Sequence, residues 1–250
     1  MVYTNSSLVS FTKLSPNHSG QRTHAIDRIT PHCVVGQCSV ETLGNIFSAK
    51  SRKASCQYGI GADGRIGLFV EEKNRSWCSS SAPNDQRAVT IECASDTTAP
   101  YAFKPEVYEA LVQLCTDICR RNGKTKLLWL ETKTKTLAYK PAPNEMLLTV
   151  HRWFANKSCP GDWLMARMGD LARRVTESLA GEELQFQVRV SIDNLNIRTG
   201  PGTNYCRTGM FSGKGVFTIV EVQSGPGSSV GWGKLKSGAG WISMDYAKRV

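Results

Sequence analysis

The sequence predicts an α/β sandwich domain followed by a small all-β domain. Three observations carry that expectation. Strand and helix periodicities alternate through the first 180 residues, the composition shifts across Thr176 to Leu184, and from Phe186 onward short apolar runs are separated by Gly- and Pro-rich turns. The expected boundaries are 1–178 for the first domain, 179–186 for a linker and 187–250 for the second.

In chain order, Arg28 to Val35 reads as a strand, and Pro31, which lacks a ladder donor, points to a sheet edge or a local irregularity there. Gln57 to Ile60 and Arg65 to Val70, joined through Asp63-Gly64, read as a hairpin. Ala88 to Cys93 is a further strand. Pro105 opens a helix whose apolar positions Val107, Tyr108, Leu111, Leu114, Cys115 and Ile118 recur at helical spacing and stop at Asn122-Gly123. The polar, Lys- and Pro-rich stretch Glu131 to Glu145 reads as an exposed loop. A last helix is expected from about Asp162 to Ala180, capped by Gly181. The strands Phe186–Val190, Leu195–Arg198, Val216–Val222, Trp232–Leu235 and Gly240–Ser243 then make a small barrel.

With 40% hydrophobic and 21% charged residues, the 250-residue chain has globular composition. No apolar run approaches the roughly 18 to 20 residues of a membrane span, and the start lacks the pattern of a secretory leader, so the expectation is synthesis in the cytoplasm. Nine cysteines, an odd number at irregular spacing, read mostly as reduced core thiols. The net charge of +10, half of it within residues 187–250, favours a polyanionic partner. No basic run carries interleaved aromatics and no helix has a one-sided basic stripe, so nucleic acid is not expected.

The chemistry-bearing pattern is His32 at the end of an apolar run, with His151 and Cys159 eight residues apart in a segment that turns at Pro160-Gly161. Two imidazoles and one thiolate fill three corners of a tetrahedron and leave the fourth open, the construction of a catalytic zinc site. Either histidine alone would read as a hydrogen-bonded core residue. The cysteine turn, free to fold back to the same ion, shifts the joint reading to one Zn2+. Glu92 shares a strand face with Thr90, opposite Val89, Ile91 and Cys93. It is either paired with an arginine such as Arg87 or acts as a general base. Lys157, two residues before Cys159, is either a solvated charge or an oxyanion stabiliser. His18 and His24 read as exposed, Cys115 and Cys119 as core, and Cys33 and Cys38 lack a second pair to complete a four-sulfur site.

These residues resemble the zinc N-acetylmuramoyl-L-alanine amidases of the type 2 family, which includes peptidoglycan recognition proteins and phage endolysins. The likeness spans about residues 20 to 178. It rests on His32, His151 and Cys159, the Asp63-Gly64 hairpin, the Thr90-Ile91-Glu92 strand, and the stretches Gly59 to Ile66 and Glu71 to Cys78, which look typical of endolysins of phages infecting clostridia or related Firmicutes. The resemblance implies a central mixed sheet flanked by helices. It also implies a zinc-activated water that cleaves the amide between N-acetylmuramic acid and L-alanine, with Glu92 as base and Lys157 at the oxyanion. Some members carry a catalytic Tyr in the hairpin where this chain has Cys56; either Tyr58, two residues on and so on the same face, replaces it, or Glu92 alone suffices. The alternative within the family is a protein that binds peptidoglycan without cutting it.

Residues 187–250 resemble bacterial SH3 domains through Leu195 to Tyr205, Gly231 to Leu235 and Gly240 to Ile242. That likeness implies a cell-wall-binding module with Tyr205, Trp232 and Trp241 as candidate contacts, the alternative being that both tryptophans are core. The expected partners are bacterial peptidoglycan and anionic wall polymers, reached after release from the host cytoplasm.

Overall fold

The structure, a computed structural model, describes residues 3–180 in full, the backbone of 181–183, and residues 185–250. Met1-Val2 of the expected leaderless start and Leu184 of the expected linker lie outside the described residues. Contacts divide the chain into two units that meet at Glu177 and Ser178.

The first unit contains β1 (Val9–Thr12), β2 (His18–Gln21), β3 (Arg28–Cys33), α1 (Val40–Ser48), β4 (Tyr58–Ile60), β5 (Ile66–Leu68) and β6 (Asn74–Ser76). It continues with α2 (Ala82–Asp85), β7 (Ala88–Cys93), α3 (Pro105–Arg121), β8 (Lys126–Leu128), α4 (Lys133–Ala138), β9 (Glu145–Leu148), α5 (Asp162–Met165) and the part of α6 (Met168–Glu183) up to Glu177. Seven strands form a mixed sheet in the order β1-β5-β4-β7-β3-β9-β8, and β2 pairs with β6 separately. Within the large sheet only the β4–β5 hairpin is antiparallel; its turn is closed by Gly64, whose φ of +80° is easy for glycine alone. The strands are buried on both faces, as a parallel sheet between helices requires.

β3 is a central strand, not an edge. Pro31 is tolerated because the β3–β9 ladder stops at Ile29, whose carbonyl accepts from Thr149 N at 3.0 Å, so the missing donor points past the end of β9. The expected loop 131–145 contains α4, whose N-terminus is capped by the Thr132 hydroxyl accepting from Lys135 N. The expected last helix is two, α5 and α6, and α6 runs through Gly181 to Glu183 rather than ending there. A helix-interior glycine costs only about 1 kcal/mol, and the glutamates that follow it are good helix formers.

The second unit is an all-β region: β10 (Phe186–Val190), β11 (Asn196–Arg198), β12 (Arg207–Phe211), β13 (Gly215–Gln223), β14 (Trp232–Leu235), β15 (Trp241–Ser243) and β16 (Ala247–Arg249). They form one antiparallel sheet ordered β12-β11-β15-β14-β13-β10-β16. Its core holds Val188, Val190, Leu195, Ile197, Ile219, Leu235 and Ile242. β12 and β16 escape the sequence reading: β12 is largely exposed and interrupted by Gly209, and β16 has three residues.

Of the three wall-contact candidates only Tyr205 is exposed; Trp232 and Trp241 are 3% and 7% exposed. Trp232 Nε1 donates to the carbonyls of Gly225 and Pro226 at 3.3 and 3.2 Å, so the indole ties down a loop instead of facing solvent. Trp232→Ala is expected to destabilise this unit by about 3–5 kcal/mol, read as an earlier urea transition. Tyr205→Ala should shift that transition far less.

Candidate functional site

β3 and β7 are parallel neighbours in a register that pairs His32 with Glu92. Alternation then puts both side chains on the same face, at the carboxyl end of their strands. His32 Nδ1 lies 4.0 Å from Glu92 Oε1. β9 delivers His151 just past its end, and the His32 and His151 rings meet edge to face with centroids 5.0 Å apart. A turn returns Cys159 to the same point, with Arg152 N donating to Cys159 O at 3.1 Å and Gly161 N to Ser158 O at 2.9 Å. Gly161 has φ +85° and packs so tightly that a Cβ would stand 2.8 Å from Pro100 O. Cys159 Sγ lies 3.3 Å from His32 Nδ1.

One donor atom from each of His32, His151 and Cys159 fits within a mutual separation of 4.8 Å. Zinc bond lengths and a tetrahedral angle call for donor separations of about 3.3–3.6 Å, so the observed cluster needs only small side-chain adjustments to close on an ion. His32 Nε2 and Glu92 Oε2 are buried without a hydrogen-bond partner among the described residues. Buried polar atoms left unpaired are uncommon and point to a missing partner. The residues fit one divalent ion.

Electrostatics favour neutral, donating imidazoles. Burial, reinforced by His151, lowers the His32 pKa to about 3, and burial and then Lys157 lower that of His151. The Cys159 thiol is pushed up by its hydrogen bond with Cys33, by burial and by Glu92, while the same contact lowers Cys33. A bound divalent cation reverses that preference, because it takes the sulfur as thiolate. Burial raises Glu92 to about 7, against smaller opposing effects from a Cys78 hydrogen bond and Arg52. Arg87, the other candidate partner of Glu92, is instead paired with Asp27.

Lys157 lines the same cavity as Glu92 and His151, a cleft of about 440 Å³. Tyr58 does not join the cluster. It is fully buried, with its hydroxyl donating to Glu72 Oε1 at 2.6 Å and accepting from Ser6 N at 2.9 Å. That position is set by the pairing of Glu72 with Arg121 on α3, a long-range contact that strand alternation does not reveal.

Two neighbours were not anticipated from the sequence. Cys78 Sγ approaches Glu92 Oε1 at 3.8 Å, and His32, Cys78 and Glu92 form a second group of donors within 4.8 Å. Ser80 Oγ lies 3.0 Å from His151 Nε2, from a left-handed backbone with φ +61°. A non-glycine residue held there is a local signal of constraint, visible only in three dimensions. Of the remaining cysteines, Cys115 and Cys119 are buried as expected, and none of the nine is disulfide-bonded. His24 is exposed, whereas His18 is half-buried in β2.

Residues 22–162 match the profile of the family described as N-acetylmuramoyl-L-alanine amidase. The chain belongs to this family. Among solved structures, it is similar to PlyL at 14% identity, covering 66% of this chain and 95% of that one with a TM-score of 0.48. The amidase LysC from Clostridium intestinale URNW matches at 15% identity over 60% of this chain and 88% of its own, TM-score 0.41. A selenomethionine AmpD derivative matches at 16% over 72% and 99%, TM-score 0.43. No curated protein matches significantly. Among the described residues no helix is long and apolar enough to cross a membrane.

If the three donors hold zinc in this family member, the purified chain should take up one equivalent after chelation and dialysis. His32→Ala and Cys159→Ser should each fall well below that in elemental analysis, with the far-ultraviolet dichroism preserved. Full zinc content in both variants would remove the assignment.

Proposed function

We propose that the chain is a peptidoglycan amidase of the endolysin kind, cleaving the amide between the lactyl group of N-acetylmuramic acid and the L-alanine of the stem peptide. The observation that carries this reading is the convergence of His32, His151 and Cys159 beside a desolvated Glu92, with Glu92, His151 and Cys159 lining a common cleft and His32 buried. His32, His151 and Cys159 would hold one Zn2+, which when bound supplies Lewis acidity at the scissile carbonyl. Glu92, with its pKa lifted toward neutrality by burial, takes a proton from the attacking water at its carboxylate. It returns that proton to the alanine nitrogen as the C–N bond breaks, so the carboxylate ends the cycle as it began. Lys157, exposed at the cleft wall, places an ammonium where negative charge grows on the carbonyl oxygen.

The cleft wall also carries Arg52, Lys53 and Arg75, and its acids are Glu92 and the buried Asp85. That excess of positive charge suits a stem peptide bearing free carboxylates. The second unit, read as an SH3-like module, would hold the enzyme on the wall, with the exposed Tyr205 as a contact. Synthesis in a host cytoplasm followed by action on the wall completes the phage-lysin reading.

Digestion of Gram-positive walls should release new L-alanine amino termini and no new reducing sugars; reducing ends without amino termini would make the chain a glycosidase. Glu92→Gln is expected to lower kcat about 10²- to 10⁴-fold with zinc content retained. Loss of zinc in that variant would recast Glu92 as a ligand.

A further inference from the structure

Strands β7, β3, β9 and β8 run parallel, so their carboxyl ends open along one edge of the sheet. β8 lies beside β9 at a spacing of about 4.8 Å, and the residue that follows it, Trp129, stacks flat on Trp153 with centroids 5.2 Å apart and planes within 5°. Trp153 ends the short turn that begins with His151. The stack therefore ties the end of β8 directly to one of the three metal-donor segments.

Beyond Trp129 opens a separate cleft of about 550 Å³, walled by Trp129, Leu130, Ala138 and Tyr139, with Glu131 and Lys135 at its mouth. Tyr139 is fixed by its hydroxyl donating to Glu145 Oε2 at 2.8 Å, yet its side remains 39% exposed. Glu131 sits at φ +66°, in a turn closed by Thr132 N donating to Leu130 O at 2.7 Å. Glu131 lines the same cleft as Trp129 and Tyr139. An ammonium stands nearby, Lys135 Nζ lying 3.4 Å from Glu131 Oε2.

Flat aromatic walls with a polar rim suit a rigid ring that has one apolar face and hydroxyls at its edge. We propose that this cleft is a saccharide subsite that binds a pyranose ring of the glycan strand next to the muramoyl residue presented to His151. The proposal rests on the amidase reading for the identity of the sugar, and on the stack and cleft for the existence of the site. The substrate is a glycan with peptide branches, so cutting the branch at its root brings sugar rings within a few ångströms of the donors.

The test is calorimetric titration of the full chain with a tetrasaccharide of alternating N-acetylglucosamine and N-acetylmuramic acid stripped of peptide, and separately with free stem peptide. Trp129→Ala is expected to weaken tetrasaccharide binding at least 10-fold. Because Trp129 supports Trp153, Tyr139→Ala and Glu131→Ala, which leave that stack alone, should each weaken tetrasaccharide binding several-fold with an unchanged thermal midpoint. Parent-like tetrasaccharide affinity in the folded Tyr139 and Glu131 variants overturns the proposal, and so does loss of stem-peptide binding alone, which would make the cleft a peptide site. Wall digestion scores the amidase reading independently: an inactive chain whose tetrasaccharide binding still depends on these residues keeps the subsite, and an active chain without that dependence loses it.

Discussion

The site depends on one register, the pairing of His32 with Glu92 across the parallel ladder of β3 and β7. A slip of β7 by a single residue would turn Glu92 to the opposite face of the sheet and set Ile91 or Cys93 beside His32 in its place. Six successive β3–β7 residue pairs fix it, from Arg28–Ala88 to Cys33–Cys93. The hydrophobic residues on the strands make slippage expensive, since Ile29, Val89 and Ile91 are all fully buried. The polar pair is thus held by its apolar neighbours.

Below that pair the same face stays polar and fully buried. Thr30 and Thr149 hydroxyls lie 2.7 Å apart, Asn84 bridges them, and its amide also reaches Ser79 Oγ at 3.2 Å. Ser79 donates to Asp85 at 2.6 Å, and Asp85 also accepts from the backbone of Cys78. This chain of bonds runs from the sheet into the loop that carries Cys78 and Ser80, so the loop's position is set by β3 and by the end of β9. Satisfied buried networks of this kind rigidify what they touch, and an incomplete one would leave donors stranded at a cost of about 1–3 kcal/mol each.

What the sequence made legible was whatever one strand or one turn can encode. His32, Glu92, His151 and Cys159 lie at strand ends or in a turn with local signatures, and alternation placed Glu92 with Thr90 on the correct face. Alternation left open what long-range packing decides. Tyr58 was placed by alternation on the face of Cys56, but its hydroxyl belongs to Glu72 and Arg121, which lie 14 and 63 residues later in the chain and are invisible to periodicity. Trp232 and Trp241 carry the same motif whether they face wall or core, and only the sheet's closure over them makes them buried. Trp129 and Trp153, far apart in sequence, offered no signal that they stack.

The topology explains why so much chemistry collects at one edge. Five consecutive strands of the sheet, β4, β7, β3, β9 and β8, are parallel, and in such sheets both faces are covered, leaving the carboxyl ends as the places where ionisable groups can meet solvent. His32 and Glu92 occupy the last two turns of the pleat, one step before the chain leaves the sheet. Further out, on the loops, neither side chain would be held in place by the ladder. The 1% exposure of His32 against 15% for the Glu92 side chain marks that boundary. The imidazole is enclosed, while the carboxylate keeps partial access to the cleft it lines.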